Sequence, residues 1–188
     1  WYADLSVKYG VSPTQSQFAK NSNMSFFQSG RGAMGFFGSW TTGEMANNDY
    51  TAANADVAPL PKGKQAATVF NGLANSVAAS TENEEAALKF VEFLGTEEAM
   101  RLQGENGAAI PAYEGTDESF VNAYSQFNIQ VYVDQMENAY IKPYSKETAR
   151  WEDVENNALM PVFDGTKSVA DVAEEIVAGV EEVLANEK

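Results

Sequence analysis

Four adjacent carboxylate pairs, Glu84-Glu85, Glu97-Glu98, Glu174-Glu175 and Glu181-Glu182, are the side chains most plainly able to do acid–base chemistry. Glycoside hydrolysis needs two carboxyls facing one cleft about 5 to 10 Å apart. Sequence neighbours at helix starts or on helix faces do not converge that way, so the pairs read as solvated surface. Histidine and cysteine are both absent. Their absence removes the commonest general base, the commonest zinc ligand, thiolate metal sites, disulfides and every Ser-His or Cys-His nucleophile. No S-x-x-K stands in a recognisable setting. Asn47-Asn48-Asp49 carries oxygen ligands but lacks the alternation and distal glutamate of an EF-hand loop.

Gly30-Arg31-Gly32-Ala33-Met34-Gly35 satisfies G-x-G-x-x-G by letter. A dinucleotide fingerprint works because a strand precedes the glycines and a helix N-terminus follows them. Here the order is reversed, with helix-like residues before and Phe36-Phe37 after, so the glycines read as a tight turn. No cofactor is expected, and no catalytic constellation assembles. These residues disfavour catalysis and leave an enzyme as an open alternative.

The elements that would position any site are mostly helical. Residues 1–9 read as the end of an amphipathic helix stopped by Gly10. Ser12 is placed to cap a second helix with Pro13 at its first position, and Phe18, Phe26 and Phe27 form a broken apolar face that ends at Gly30. Residues 33–38 read as a short buried strand, with Ser39 and Thr42 as caps for a short helix. Residues 56–61 are extended because of Pro59 and Pro61, and Lys62-Gly63-Lys64 is a turn. A strand is expected from Thr68 to Ala79, broken near Asn71-Gly72.

Thr81 and Glu84 have capping-box spacing before a helix over 84–94, where Ala87, Phe90, Val91 and Leu94 recur at helical spacing. Thr96 caps a second helix to about Glu105, residues 107–111 form a loop, and 117–127 read as helical. Residues 128–147 give no clear pattern. A helix runs from about Thr148 to Phe163, interrupted or ended near Pro161. The last begins at Ser168, with Val169, Val172, Ala173, Ile176, Val180, Val183 and Leu184 as its apolar stripe.

The chain has 188 residues, enough for a sizeable core, and a formal net charge of -15. Phosphate binding draws on clustered Lys and Arg. The twelve basic residues here are scattered, so nucleic acid and anionic membrane surfaces are disfavoured as partners. No apolar run approaches the roughly 20 residues needed to span a bilayer, and no signal-peptide pattern opens the chain. Because the opening residues, from Trp1, read as helix interior, the chain is expected to be a fragment.

Four ordered stretches resemble family 1 extracellular solute-binding proteins, the group that includes maltose-binding protein. Phe27-Gln28-Ser29-Gly30-Arg31-Gly32-Ala33-Met34 is similar to the family's F-x-x-G-[KR]-x-A-M and is followed by Gly38-Ser39-Trp40. The run from Val57 to Gly63 precedes Phe70-Asn71-Gly72-Leu73, where the family often has Gly-Gly. The run from Ala86 to Leu94 leads into Thr96-Glu97-Glu98-Ala99, then Asn106-Gly107 and Ile110-Pro111. Trp151 and the run from Phe163-Asp164-Gly165 to Ala173 complete the set.

The resemblance implies an α/β protein of the two-lobed, type II periplasmic-binding-protein-like fold, here a helix-rich C-terminal fragment. It assigns residues 1–63 to the first part of the C-terminal lobe, 64–125 to a segment crossing back to the N-terminal lobe, and 126–188 to the return. It implies the extracytoplasmic substrate-binding component of an ABC importer, capturing a sugar or oligosaccharide between lobes and delivering it to permease subunits. A binding protein for a peptide, polyamine or metal, a structural helical module, and a carbohydrate-active enzyme fragment are the alternatives. The location would be extracellular or periplasmic, with a lipidated N-terminus outside this chain. The fragment alone is expected to bind sugar weakly or not at all and to self-associate through its missing-lobe surface.

Sugars offer hydroxyls around apolar C–H faces, so a binder wants flat aromatic platforms and a few fixed hydrogen-bonding groups. Trp40, following Gly38-Ser39, matches the family position that stacks on sugar; its other reading is a core tryptophan. Asn71 and Gly72 interrupt an apolar run, as ligand contacts or as a bulge. Trp151, beside Arg150, matches a second aromatic position, or else packs on the last helices. Tyr113 and Tyr144 are further candidates. Ser39, Trp40, Asn71, Gly72 and Trp151 form the ligand-binding set.

Overall fold

A computed structural model describes residues 1–18 and 21–187 and divides them into two compact units. One unit comprises Trp1–Phe26 with Pro143–Lys188, and the other Phe27–Lys142. In chain order the helices begin with α1 (Asp4–Val7), α2 (Gln15–Phe18) and α3 (Asn23–Gln28). A 3-10 turn (Ser39–Thr41), α4 (Thr42–Ala46), α5 (Asp49–Asn54) and the strand β1 (Thr68–Phe70) follow. Then come α6 (Glu84–Leu94), α7 (Glu97–Glu105), α8 (Asp117–Ala123), α9 (Gln130–Asp134) and β2 (Ala139–Ile141), with α10 (Thr148–Phe163) and α11 (Val169–Ala185) closing the order.

In the first unit α10 and α11 pack on each other around Ala158, Val162, Val172 and Val183, all buried. Their approach is close at Gly179, where a β-carbon would meet Val154 Cγ1 at 2.6 Å. Pro161 lies in the last turn of α10, so its missing N–H removes one helical bond without breaking the helix. Its carbonyl accepts the Thr166 and Lys167 N–H groups as the chain leaves through Gly165, at φ +73°. Ser168 then caps α11 in a full capping box with Asp171.

In the second unit α7 and α8 pack across Gly104, whose hydrogen face meets Ser119 and Pro111. Phe120, Phe127, Ile129 and Val131 are buried. β1 and β2 pair in parallel, Thr68 with Ala139 and Phe70 with Ile141, forming the one two-stranded sheet among the described residues.

Several elements differ from the sequence reading. The helix of residues 1–9 is one turn, because Gly10 at φ +61° allows the Val11 and Ser12 N–H groups to fold back onto the Leu5 carbonyl. The second helix starts after Thr14, whose N–H and hydroxyl both donate to the Gln17 side chain, rather than at Ser12. The run to Gly30 divides into α2 and α3, with Ala19 and Lys20 outside the described residues. Residues 33–38 form no strand and are largely exposed, Met34 at 91%. A strand needs an edge to pair with, and none reaches this segment among the described residues. Only Thr68–Phe70 of the expected 68–79 strand pairs, and the ladder stops at Asn71-Gly72. Asn83, not Thr81, occupies the cap position of α6; the Thr81 hydroxyl instead accepts the Asn83 N–H at 3.2 Å. Thr96 does cap α7, accepting the Ala99 N–H at 3.3 Å.

Candidate functional site

Trp40 sits in the 3-10 turn that leads into α4. Gly38 is extended, at φ −82° and ψ 159°, and the chain turns immediately after it. The Thr41 hydroxyl donates to the Gly38 carbonyl at 2.8 Å. Thr42 is not the cap its position suggested. It is the first helical residue, fully buried, and its hydroxyl donates to the Ser39 carbonyl at 2.7 Å. Tyr132 on α9 is half-buried, and burial raises its phenol above the ordinary range.

Trp40 itself is 66% exposed. The six-membered part of its indole lies against the α-carbon of Gly38, where a β-carbon would collide with it. An aromatic plane supported from beneath by backbone, with most of its surface in solvent, is suited to stacking on a flat apolar ligand face. Ser39, half-buried, contributes its carbonyl to the turn.

Asn71 and Gly72 leave the end of β1 in the same unit, both exposed. A β-carbon on Gly72 would meet only the Phe70 ring, at 3.7 Å, so the glycine has open space rather than a close backbone neighbour. Asn71 keeps the capacity to donate and accept.

Trp151, in the other unit, lies in the first turn of α10 and is half-buried. Its Nε1–H donates to Ser145 Oγ at 3.1 Å. Ser145 Oγ also accepts the Glu147 N–H at 3.2 Å, and that N–H reaches Glu187 Oε1 at 3.1 Å. The Ser145 hydroxyl and neighbouring backbone N–H groups hold the Glu187 carboxyl below its usual range. The polar edge of Trp151 is therefore occupied by the protein, which fixes the ring's orientation. Tyr144, beside this network, is 81% exposed, and Tyr113 in the second unit is 43% exposed.

The structure thus places Ser39, Trp40, Asn71 and Gly72 in one unit and Trp151 in the other. The burial of Thr42 beneath the Trp40 turn and the seating of the indole on Gly38 were missed. A surface depression of about 450 Å³ at the α6–α7 junction, lined by Phe93, Thr96, Glu97, Glu98 and Arg101, contains none of these residues. It is open and shallow and gathers no converging polar set, so the aromatic turn is the better candidate.

The carboxylate pairs at 84–85, 97–98, 174–175 and 181–182 are all exposed on helices. Among the described residues no group of three or more acidic side chains is arranged to hold a metal ion. No helix of the described residues is long and apolar enough to cross a membrane.

The model of the bacterial extracellular solute-binding protein family matches residues 2–101. A search of curated proteins finds no match. Among solved structures, an ABC substrate-binding protein from Listeria monocytogenes in complex with cycloalternan aligns with a TM-score of 0.85 at 18% identity. The alignment covers 99% of this chain and 48% of that one, so the chain spans about half the length of the protein it matches. The likeness establishes the fold as the α/β, type II periplasmic-binding-protein-like kind, in a helix-rich portion. By its match over residues 2–101, the chain belongs to the bacterial extracellular solute-binding protein family.

Proposed function

We propose that the chain is part of the substrate-binding component of an ABC importer, and that the complete protein captures a sugar or oligosaccharide. The single observation that carries this reading is the Trp40 indole, backed by Gly38 and two-thirds exposed. Such a platform serves the C–H face of a pyranose, while Ser39, Asn71 and Gly72 supply polar groups and open backbone from the same unit. Trp151, with its N–H already used, would offer ring surface only. The oligosaccharide held by the Listeria monocytogenes protein supports a sugar over a peptide, polyamine or metal.

On this reading residues 1–63 and 126–188 belong to the C-terminal lobe and 64–125 cross back to the N-terminal lobe. Ligand closes the lobes because the cleft completes its contacts only when closed, and the closed form is what permease subunits recognise. The protein works outside the cytoplasm, held by a lipid anchor. The chain alone, with half the cleft, binds sugar weakly and self-associates through apolar surface such as Phe90 and Phe93 of α6, exposed at 60% and 42%.

The test is tryptophan fluorescence of the complete protein, titrated with mono- and oligosaccharides. A saturable change with one sugar, abolished by Trp40→Ala, is expected. A flat response from folded protein across the panel would move the ligand to a non-sugar solute.

A further inference from the structure

The dipeptide Asn-Gly occurs twice in the chain, at Asn71-Gly72 and at Asn106-Gly107. Asparagine is chemically labile, and most so before glycine, where no β-carbon shields the following backbone nitrogen and the chain turns freely. That nitrogen attacks the asparagine side-chain carbonyl carbon. A new C–N bond forms, the amide C–N bond breaks, the attacking N–H gives up its proton, and ammonia leaves. Water then opens either carbonyl of the resulting succinimide, giving aspartate or its backbone-lengthened isomer, isoaspartate. The sequence of steps consumes water, releases ammonia and involves no change of oxidation state.

The fold treats the two pairs differently. Asn71 and Gly72 follow Phe70, the last paired residue of β1, and open a stretch, residues 71–78, that is neither helix nor strand. Both are exposed, and a β-carbon on Gly72 would meet only the Phe70 ring, at 3.7 Å. Among the described residues, neither the Gly72 N–H nor the Asn71 side-chain amide has a hydrogen-bond partner. At the second pair both reacting groups are tied. The Gly107 N–H donates to the Gly104 carbonyl at 2.7 Å, and Asn106 Nδ2 donates to the Leu102 carbonyl at 2.7 Å. Gly107 is also buried, with its α-carbon against the Tyr124 ring and its carbonyl accepting the Tyr124 hydroxyl at 3.1 Å. Ring closure needs the peptide between asparagine and glycine to turn, and here it is held from both ends.

We infer that Asn71-Gly72 is a site of spontaneous modification, converting to aspartate and isoaspartate in the folded protein, while the fold protects Asn106-Gly107. Having to break two hydrogen bonds before closure slows the second pair by about tenfold to a hundredfold. The inference rests on the proposed ligand role of Asn71 only for its consequence in binding; the conversion itself is a statement about the reactivity of this pair. Conversion removes the donors of the Asn71 amide, since a carboxylate only accepts, and isoaspartate displaces the chain at Gly72.

The test holds the 188-residue chain at mildly alkaline pH for several days. Peptide mass mapping follows amide-to-acid conversion at each pair, and electron-transfer fragmentation separates aspartate from isoaspartate. Asn71 should convert at least about tenfold faster than Asn106, with isoaspartate among its products. In denaturant, where both pairs lose the fold, the two rates should converge. Gly72→Ala, which sets a β-carbon beside the attacking nitrogen, should slow conversion at Asn71. Circular dichroism confirms that the incubated chain stays folded, and the complete protein takes its place if it does not. Equal rates at the two pairs in folded protein overturn the inference, as does an Asn71 that survives while Asn106 converts.

Sugar binding by the complete protein, before and after conversion, separates this from the functional reading. Converted protein with affinity weakened about tenfold supports both the modification and the ligand role of Asn71. Converted protein with unchanged affinity supports the modification and removes Asn71 from the ligand contacts.

Discussion

The Trp40 indole lies against the α-carbon of Gly38, so close that no side chain larger than hydrogen fits between them. Three residues earlier the arrangement repeats, with the Phe37 ring over Gly35. Phe37 also meets Phe27 at 5.2 Å between ring centroids. Glycine here is required by what lies on it and not by its own φ, which at Gly38 is −82°.

Gly38→Ala therefore displaces the indole rather than the backbone. Because Trp40 is exposed and can swing outward, the stability change should stay within about 0.5 kcal/mol. Trp40 emission should shift and become more accessible to a soluble quencher. Paired chemical denaturation and acrylamide quenching check both halves, and a loss of several kcal/mol would show that the ring had no room to leave.

Gly107→Ala should behave in the opposite way. Gly107 has φ +65°, its α-carbon faces the Tyr124 ring, and its carbonyl accepts the Tyr124 hydroxyl at 3.1 Å. A side chain there adds left-handed backbone strain of about 1–2 kcal/mol. Overpacking against a ring that cannot move freely adds about 1–3 kcal/mol. Thermal unfolding should show a clearly lowered Tm for the second unit.

The cap of α11 predicts a pH effect. The Asp171 carboxylate accepts the Ser168 N–H and hydroxyl, both at 2.8 Å, and the backbone N–H chiefly holds it below the ordinary carboxylate range. A folded-state value below the unfolded one stabilises the fold at pH above about 4 and loses that contribution as pH falls through the lowered value. Asp171→Asn should flatten this part of the acid limb of the stability profile. Ser168→Ala should cost about 1 kcal/mol at neutral pH.

A second acid-side effect belongs to Glu187, whose carboxylate is lowered by the Ser145 hydroxyl first and by the Glu147 and Lys146 N–H groups after it. Protonation as pH falls through that lowered value removes the acceptor and loosens Ser145, the partner of the Trp151 indole. Trp151 emission, with the other tryptophans replaced, should change on the acid side of about pH 4. Glu187→Gln and Ser145→Ala should each abolish the pH step.

The long helices were legible because their determinants are local. Val172 and Val183 of α11 are buried as its stripe requires, and Ser168 caps it. Trp151 stands in the first turn of α10 as read from its neighbours. In contrast, apolarity over 33–38 gave a buried strand where the chain is exposed, since a strand depends on a neighbour the segment does not specify. β2 was unreadable for a related reason: its partner, Thr68–Phe70, lies far back along the chain. At the candidate site the tryptophan and its glycine could be seen in Gly38-Ser39-Trp40. The seating of the indole on Gly38 could not, because it depends on the turn the backbone makes between them.

The first unit is assembled from two segments separated by the whole of the second. Tyr2 packs edge-on to Phe163 at 5.9 Å, and Val7 Cγ1 fills the space over Gly165, 2.8 Å from where its β-carbon would be. During vectorial synthesis at about 5–20 residues per second, α1 leaves the ribosome several seconds before α10 exists. The second unit, continuous in sequence, is free to fold in that interval, while Trp1–Phe26 remains without its packing partners. Until α10 is made, Tyr2 and Val7 lack the Phe163 and Gly165 contacts that partly cover them in the folded unit.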